Sequence, residues 1–151
     1  MLKKDDSFFM NEALKLAGQA LEDGEIPVGC VIVAENRIIG KGYNQTERLN
    51  DTTAHAEMIA ITSAFQFLGS KYLKNCKMYV TLEPCPMCAG ASNWAQLSEI
   101  IYGASDAKKG YSAFKANNMG LLHAATKVKS GVLEAESKNL LDEFFKRVRS
   151  K

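Results

Sequence analysis

The stretch Thr81-Leu82-Glu83-Pro84-Cys85-Pro86-Met87-Cys88-Ala89-Gly90-Ala91 carries two of the chain's four cysteines, three positions apart, with a proline on each side of the first. The run before it, Lys77-Met78-Tyr79-Val80-Thr81-Leu82, is short and β-rich and predicts a strand over 77–82. Residues 85–95 predict a helix, because Pro86 falls in the first turn, where its missing N–H breaks no hydrogen bond. The motif is therefore a strand-to-helix junction, and in α/β sheets sites gather at such junctions. Two thiols at C-x-x-C spacing reach one ion from a single helical turn, and a helix start favours the thiolate. Spacing alone leaves three readings open: a redox pair, half of a structural zinc site, or part of a reactive metal centre.

A zinc site needs further N or S ligands. The chain offers two histidines, His55 and His123. Cys85, Cys88, His55 and His123 together would close a structural site, whereas a catalytic zinc takes three ligands and leaves a position for water. Two features favour the catalytic version. His55 opens a predicted helix in Thr53-Ala54-His55-Ala56-Glu57-Met58, and Glu57, not needed as a ligand, suits a general acid/base there. His123 lies in the least regular part of the chain. Residues i and i+2 do not share a face of an ideal helix, so His55 and Glu57 converge only if the ion sits in front of the first turn. Two other classes predict different outcomes. A closed-zinc nucleic-acid-binding module requires a fourth protein ligand and gives Glu57 no task. A thioredoxin-like oxidoreductase requires a Cys85–Cys88 disulfide and no metal.

Working outward, apolar spacing predicts a helix over 8–23, capped by Asp6 or Ser7 and ended by Gly24. Strands follow at 28–34 and 37–43, joined by a tight Glu35-Asn36 turn. Residues 54–68 read as a helix with Thr52 or Thr53 as its cap. Residues 99–104 form another strand, and a loop-rich region runs to about 125. A weak strand near 126–130 and a helix over 134–149 complete the order. This order predicts an α/β fold, a central mixed five-stranded sheet covered by helices on both faces, in one domain over 1–151. Cys30 and Cys76 read as buried thiols, Trp94 as core or subunit-interface packing, and Glu83 as a structural or site-orienting group.

The chain has 46% apolar and 24% charged residues, the composition of an ordinary soluble domain. No apolar run approaches the roughly 20 residues of a membrane span. Acids directly follow the first lysines, with no apolar signal core, so a cytoplasmic location is expected. Net charge is +2, unevenly placed: residues 1–107 carry 9 basic and 13 acidic side chains, residues 108–151 carry 10 and 4. A basic C-terminal third fits either a polyanion partner or a solvated helix face.

His-x-Glu at 55–57 followed by Pro-Cys-x-x-Cys at 84–88 resembles the zinc-dependent cytidine/adenosine/guanine deaminase superfamily. Within it the chain is most similar to bacterial tRNA-specific adenosine deaminases. That resemblance runs from "GEIPVGCVIV" and "GYNQTE" through "DTTAHAEM" and "YVTLEPCPMCAGA" to "YGASDAKKG" and the closing "GVLEAESKNLLDEFFKRVR". It implies a three-layer α/β/α sandwich (cytidine deaminase-like), one Zn²⁺ per chain, and hydrolysis of the wobble adenosine of a tRNA anticodon to inosine with release of ammonia. It makes His55, Cys85 and Cys88 the ligands and Glu57 the proton shuttle. Asn44 would hydrogen-bond the flipped base, Val28 would line its pocket, and the Ala56 amide would donate near the reacting carbon. Asp106 would meet the RNA backbone. Lys108, Phe145 (with Phe144), Lys146, Arg147 and Arg149 would touch the anticodon stem-loop, and the chain would form a homodimer. Pro86 and Trp94 lean toward guanine deaminases, which keeps a free-base substrate (guanine or cytosine) as the alternative.

Overall fold

The computed structural model describes residues 4–114 and 120–150. Its elements are α1 at Asp6–Glu22, β1 at Gly29–Ala34, β2 at Arg37–Tyr43, α2 at Ala56–Leu68, β3 at Cys76–Leu82, α3 at Pro86–Ala95, β4 at Glu99–Ala104, β5 at Lys127–Lys129 and α4 at Glu134–Arg149. The order matches the sequence expectation. The loop expected to run to about 125 contains a short 3-10 turn, Tyr111–Phe114, and its residues 115–119 lie outside the described residues. Among the described residues no helix is long and apolar enough to cross a membrane.

The strands lie in the order β2-β1-β3-β4-β5. β1 runs antiparallel to β2 and β3, while β3, β4 and β5 are mutually parallel neighbours, so the sheet is mixed. Glu35 (φ 48°) and Asn36 (φ 64°) turn β1 into β2, the left-handed pair that a two-residue hairpin needs. Successive strand side chains point to opposite faces. Cys30, Ile32, Met78, Val80, Ile100 and Tyr102 meet Ala56, Ala60, Ile61 and Ala64 of α2 on one face. Val31, Val33, Tyr79 and Ile101 meet Phe9, Met10 and Ala13 of α1 on the other. α3 packs beside α2, and α4 packs against α1 and β4, which completes three layers. Cys30 and Cys76 are buried, as expected. β5 is different: its three residues are all exposed, and it pairs with β4 alone.

Glycine decides where α2 lies. A Cβ on Gly42 would run into the carbonyl oxygen of Ala56, and one on Gly40 into that of Ala60. β2 therefore lets the α2 backbone rest directly on it, and this contact fixes the start of α2 relative to the sheet.

Helix starts are where sequence and structure part. Asp5, not Asp6 or Ser7, caps α1, accepting from the Phe8 N–H at 2.9 Å. α2 begins at Ala56 with His55 as its N-cap, so neither Thr52 nor Thr53 caps it. Thr53 is held instead by Asp51, donating from its N–H at 2.8 Å and its hydroxyl at 2.7 Å. A side chain that caps its own helix cannot also face an ion, and His55 makes no capping bond.

Candidate active site

Two helix N-termini meet at one point. His55 is the N-cap of α2 and Cys85 the N-cap of α3, both in extended backbone, and Cys88 follows in the first turn of α3. His55 Nδ1 lies 3.6 Å from the Sγ of Cys85 and 3.6 Å from the Sγ of Cys88. The three donor atoms all lie within 4.8 Å of one another. Zn–S bonds of about 2.3 Å and Zn–N bonds of about 2.0–2.1 Å at tetrahedral angles separate S from N by about 3.6 Å. The donor set and its spacing thus fit zinc, with three protein ligands.

Because His55 lies just outside the helix, the objection from helix periodicity does not apply: Glu57 and His55 both face the space before the first turn. His123 is not part of this cluster; its Nδ1 accepts from the Ala125 N–H at 3.2 Å. Among the described residues the fourth ligand of a closed site is missing. All four cysteines are free, and the Cys85 and Cys88 sulfurs both face the His55 ring nitrogen.

The charges are tightly coupled. Hydrogen bonding from Cys88 and from His55 outweighs burial and pulls the Cys85 thiol down to about 4, and two helix N-termini aid the thiolate. Cys88, hydrogen-bonded to the Cys85 sulfur and buried, holds its proton far more tightly. His55 is raised, chiefly by its hydrogen bond to Cys85. Glu57, 4% exposed, is pushed up to about 7 by burial, with repulsion from Cys85 adding to the push. A cation between the sulfurs acts in the opposite direction.

The cluster opens into a cleft of about 1100 Å³. Val28, Asn44, His55, Glu57, Cys85, Asp106, Lys108 and Phe145 all line it. The structure therefore brings most of the sequence-predicted residues to one place. Ala56 is buried, and its N–H, expected to face the base, donates to Asn44 Oδ1 at 2.8 Å. An asparagine oxygen has taken one of the free N–H groups at the helix start, which leaves the Asn44 amino group toward the cleft. Asp106 accepts from the N–H groups of Lys108 at 3.2 Å and Lys109 at 3.0 Å and so shapes its own loop. Lys146, Arg147 and Arg149 lie in the last turn of α4, outside the cleft lining. Arg147 pairs with Glu143 at 2.8 Å, an exposed i,i+4 contact of little energetic weight. Trp94 is 84% exposed, so the core reading of that residue is wrong.

Two buried acids escaped sequence reasoning in whole or part. Glu25 is 1% exposed, and its carboxylate accepts from Thr46 Oγ1 at 3.3 Å, the Glu47 N–H at 3.1 Å and the Arg48 N–H at 2.8 Å. Glu83 is 4% exposed and accepts from the Asp106 N–H at 3.1 Å, the Ser112 N–H at 3.0 Å and Ser112 Oγ at 2.6 Å. Their one sequence signal was an acid beside each motif, at Glu25-Ile26-Pro27-Val28 and Glu83-Pro84-Cys85.

A mixed sheet of this order, with a His/Cys/Cys centre at two helix starts and a carboxyl beside it, fits a hydrolytic zinc site. The profile of the cytidine and deoxycytidylate deaminase zinc-binding region matches residues 3–104, and the chain belongs to that family. Among its relatives, the tRNA-specific adenosine deaminase of Aquifex aeolicus (strain VF5) is 44% identical over 145 residues, 95% of each chain. A structure solved in studies of A-to-I editing by tRNA:A34 deaminases superposes with a TM-score of 0.81 at 41% identity, over 88% of this chain and 98% of that one. The guanine deaminase of Bacillus subtilis matches with a TM-score of 0.65 at 38% identity, over 76% of this chain and 71% of that one.

Proposed function

We propose that this chain deaminates the wobble adenosine of a tRNA anticodon to inosine by hydrolysis, releasing ammonia. The observation that carries the reading is a zinc-fitting triad with a buried glutamate, set in a cleft walled by two polar loops and bordered by α4. Likeness to tRNA-specific adenosine deaminases over 95% of the chain supports the substrate. When bound, zinc supplies Lewis acidity that activates a water near neutral pH. The residues do the rest. Glu57, fixed in the first turn of α2, takes one proton from water and gives it to a ring nitrogen while the water oxygen bonds to the amine-bearing carbon; it then takes the second proton from that oxygen and gives it to the amine nitrogen as the C–N bond breaks. One water enters and one ammonia leaves. Asn44, held by the Ala56 N–H, donates to the base from its amino group, and Val28 offers an apolar wall. The base must leave its stack to reach this depth, which is easiest in a single-stranded loop.

Lys108 and Phe145 at the cleft, with Lys146, Arg147 and Arg149 beyond it, are assigned to the anticodon stem-loop. The exposed Trp94 and Met87, seven residues apart and so on one face of α3, support packing against a second copy. Trp94→Glu should convert that dimer to a monomer in sedimentation; an unchanged mass would remove this interface. Two free thiols in the centre suit the reducing cytoplasm.

Likeness to a guanine deaminase keeps the free base as a second reading. Inosine mapping on tRNA after incubation with the zinc-loaded protein, with free guanine and cytosine in parallel, separates them. Inosine at the wobble position is expected. Turnover of guanine with none of tRNA would overturn the proposal.

A further inference from the structure

The cleft has two walls, and each rests on one buried carboxylate from a distant part of the chain. We infer that Glu25 and Glu83 are positioning residues that fix the two walls and thereby set the capture of a folded anticodon loop; the inference rests on the deaminase reading above. Glu25 precedes β1 yet binds three consecutive residues after β2, Thr46, Glu47 and Arg48, just beyond the base contact Asn44. Glu83 directly follows β3 yet ties down both ends of the loop from Asp106 to Ser112, which presents Lys108. Gly110 is part of this fit, since a Cβ there would run into the Glu83 carboxyl.

The chemistry is specific to a carboxylate. Each group faces only donors, and an ionised carboxylate is the side chain that accepts from all of them. Burial of such a charge is tolerable only because three donors surround it. Those donors are loop backbone and hydroxyl groups, so the charge organises the walls rather than a reacting atom. Glutamine keeps the shape but turns an NH₂ group toward N–H donors, which opens the wall locally. A wall set loose weakens capture of a large ligand that must touch both sides, while a small ligand reaching the floor feels little of it.

The test uses the zinc-loaded protein and two substrates, an anticodon stem-loop and a short single-stranded oligonucleotide carrying the same adenosine. For Glu25→Gln and Glu83→Gln, KM for the stem-loop should rise about tenfold, the scale of one lost charge-assisted hydrogen bond, with a smaller change in kcat. KM for the short strand should rise less. Thr46→Ala and Ser112→Ala, which remove only the hydroxyl donors, should shift KM in the same direction by a smaller factor and cover the case in which a glutamine variant fails to fold. Glu83→Asp should not restore KM, because the shorter arm cannot reach both loop ends. An unchanged KM in all four variants, or an equal fall in kcat on both substrates, overturns the positioning role while wild-type inosine formation leaves the deaminase reading intact. Absence of inosine with the wild-type protein would instead sink that reading.

Discussion

The floor of the cleft and its outer edge are built by opposite means. At the floor, His55, Glu57, Cys85 and Cys88 stand on helix starts packed onto the sheet by alanines and glycines, and Ala56, Glu57 and Cys88 are buried. At the edge, α4 exposes nearly all of its last turn, with Phe145 46% and Val148 52% exposed. The floor needs atoms held to fractions of an ångström, since proton transfer and ligation both fail outside a narrow geometry. A flexible polyanion, the partner proposed for the edge, would need only long cationic side chains in water. Substitutions at the floor should therefore act in an all-or-none way, and those at the edge in proportion to the charge removed.

The largest effect is expected at the ligands. His55→Ala and Cys88→Ala should lose zinc, measured by metal analysis, and with it all detectable inosine formation. Full zinc content in either variant would break the assignment of the floor. Glu57→Gln comes next: it should keep zinc and fold but lose about 10²–10⁴-fold in turnover, the usual worth of a positioned general acid/base. Turnover within tenfold of wild type would mean that another group moves the proton. Truncation after Phe145 removes four cations, Lys146, Arg147, Arg149 and Lys151. If the intact protein makes three or four contacts to single-stranded RNA, log affinity falls with log salt at a slope of roughly −2 to −3, and truncation should flatten it to about −1 while zinc stays bound. An unaltered slope would move RNA recognition away from α4. The smallest effect is expected from His123→Ala, which should change neither zinc content nor turnover. Zinc loss there would make the site closed and erase the contrast between floor and edge.

The sequence made the floor legible because its chemistry is local. C-x-x-C is confined to one turn, and His55 and Glu57 are two residues apart, so each half of the signature is read within a few residues and the two halves together carry the family resemblance. The central strands were legible for a similar reason, since β1, β3 and β4 send apolar side chains to both faces of the sheet. The caps were harder. Thr53 is as good a capping residue as any, yet Asp51 claims it, and His55 takes the cap position with its ring aimed away. The walls were least legible. Glu25 and Glu83 meet donors 21 to 29 residues away, most of them backbone N–H groups that every residue owns, so no residue pattern encodes these bonds. Trp94 stayed open between core and subunit interface because its apolar bulk suits either, and only the packing of α3 shows it facing outward.

The short strand β5 has a consequence for the protein at high concentration. An open sheet offers unpaired N–H and C=O groups at both borders, and a neighbour's strand can add to them, seeding fibrils. Here one border is the three-residue Lys127-Val128-Lys129, too short to template much, with Lys127 exposed and Lys129 paired to Asp6 at 2.7 Å. The other border, β2, exposes Arg37 and Lys41. Two copies brought edge to edge would set cations against cations, a repulsion that screening by salt relieves. Resistance to amyloid-type assembly is thus written into the two borders, and it should weaken as ionic strength rises.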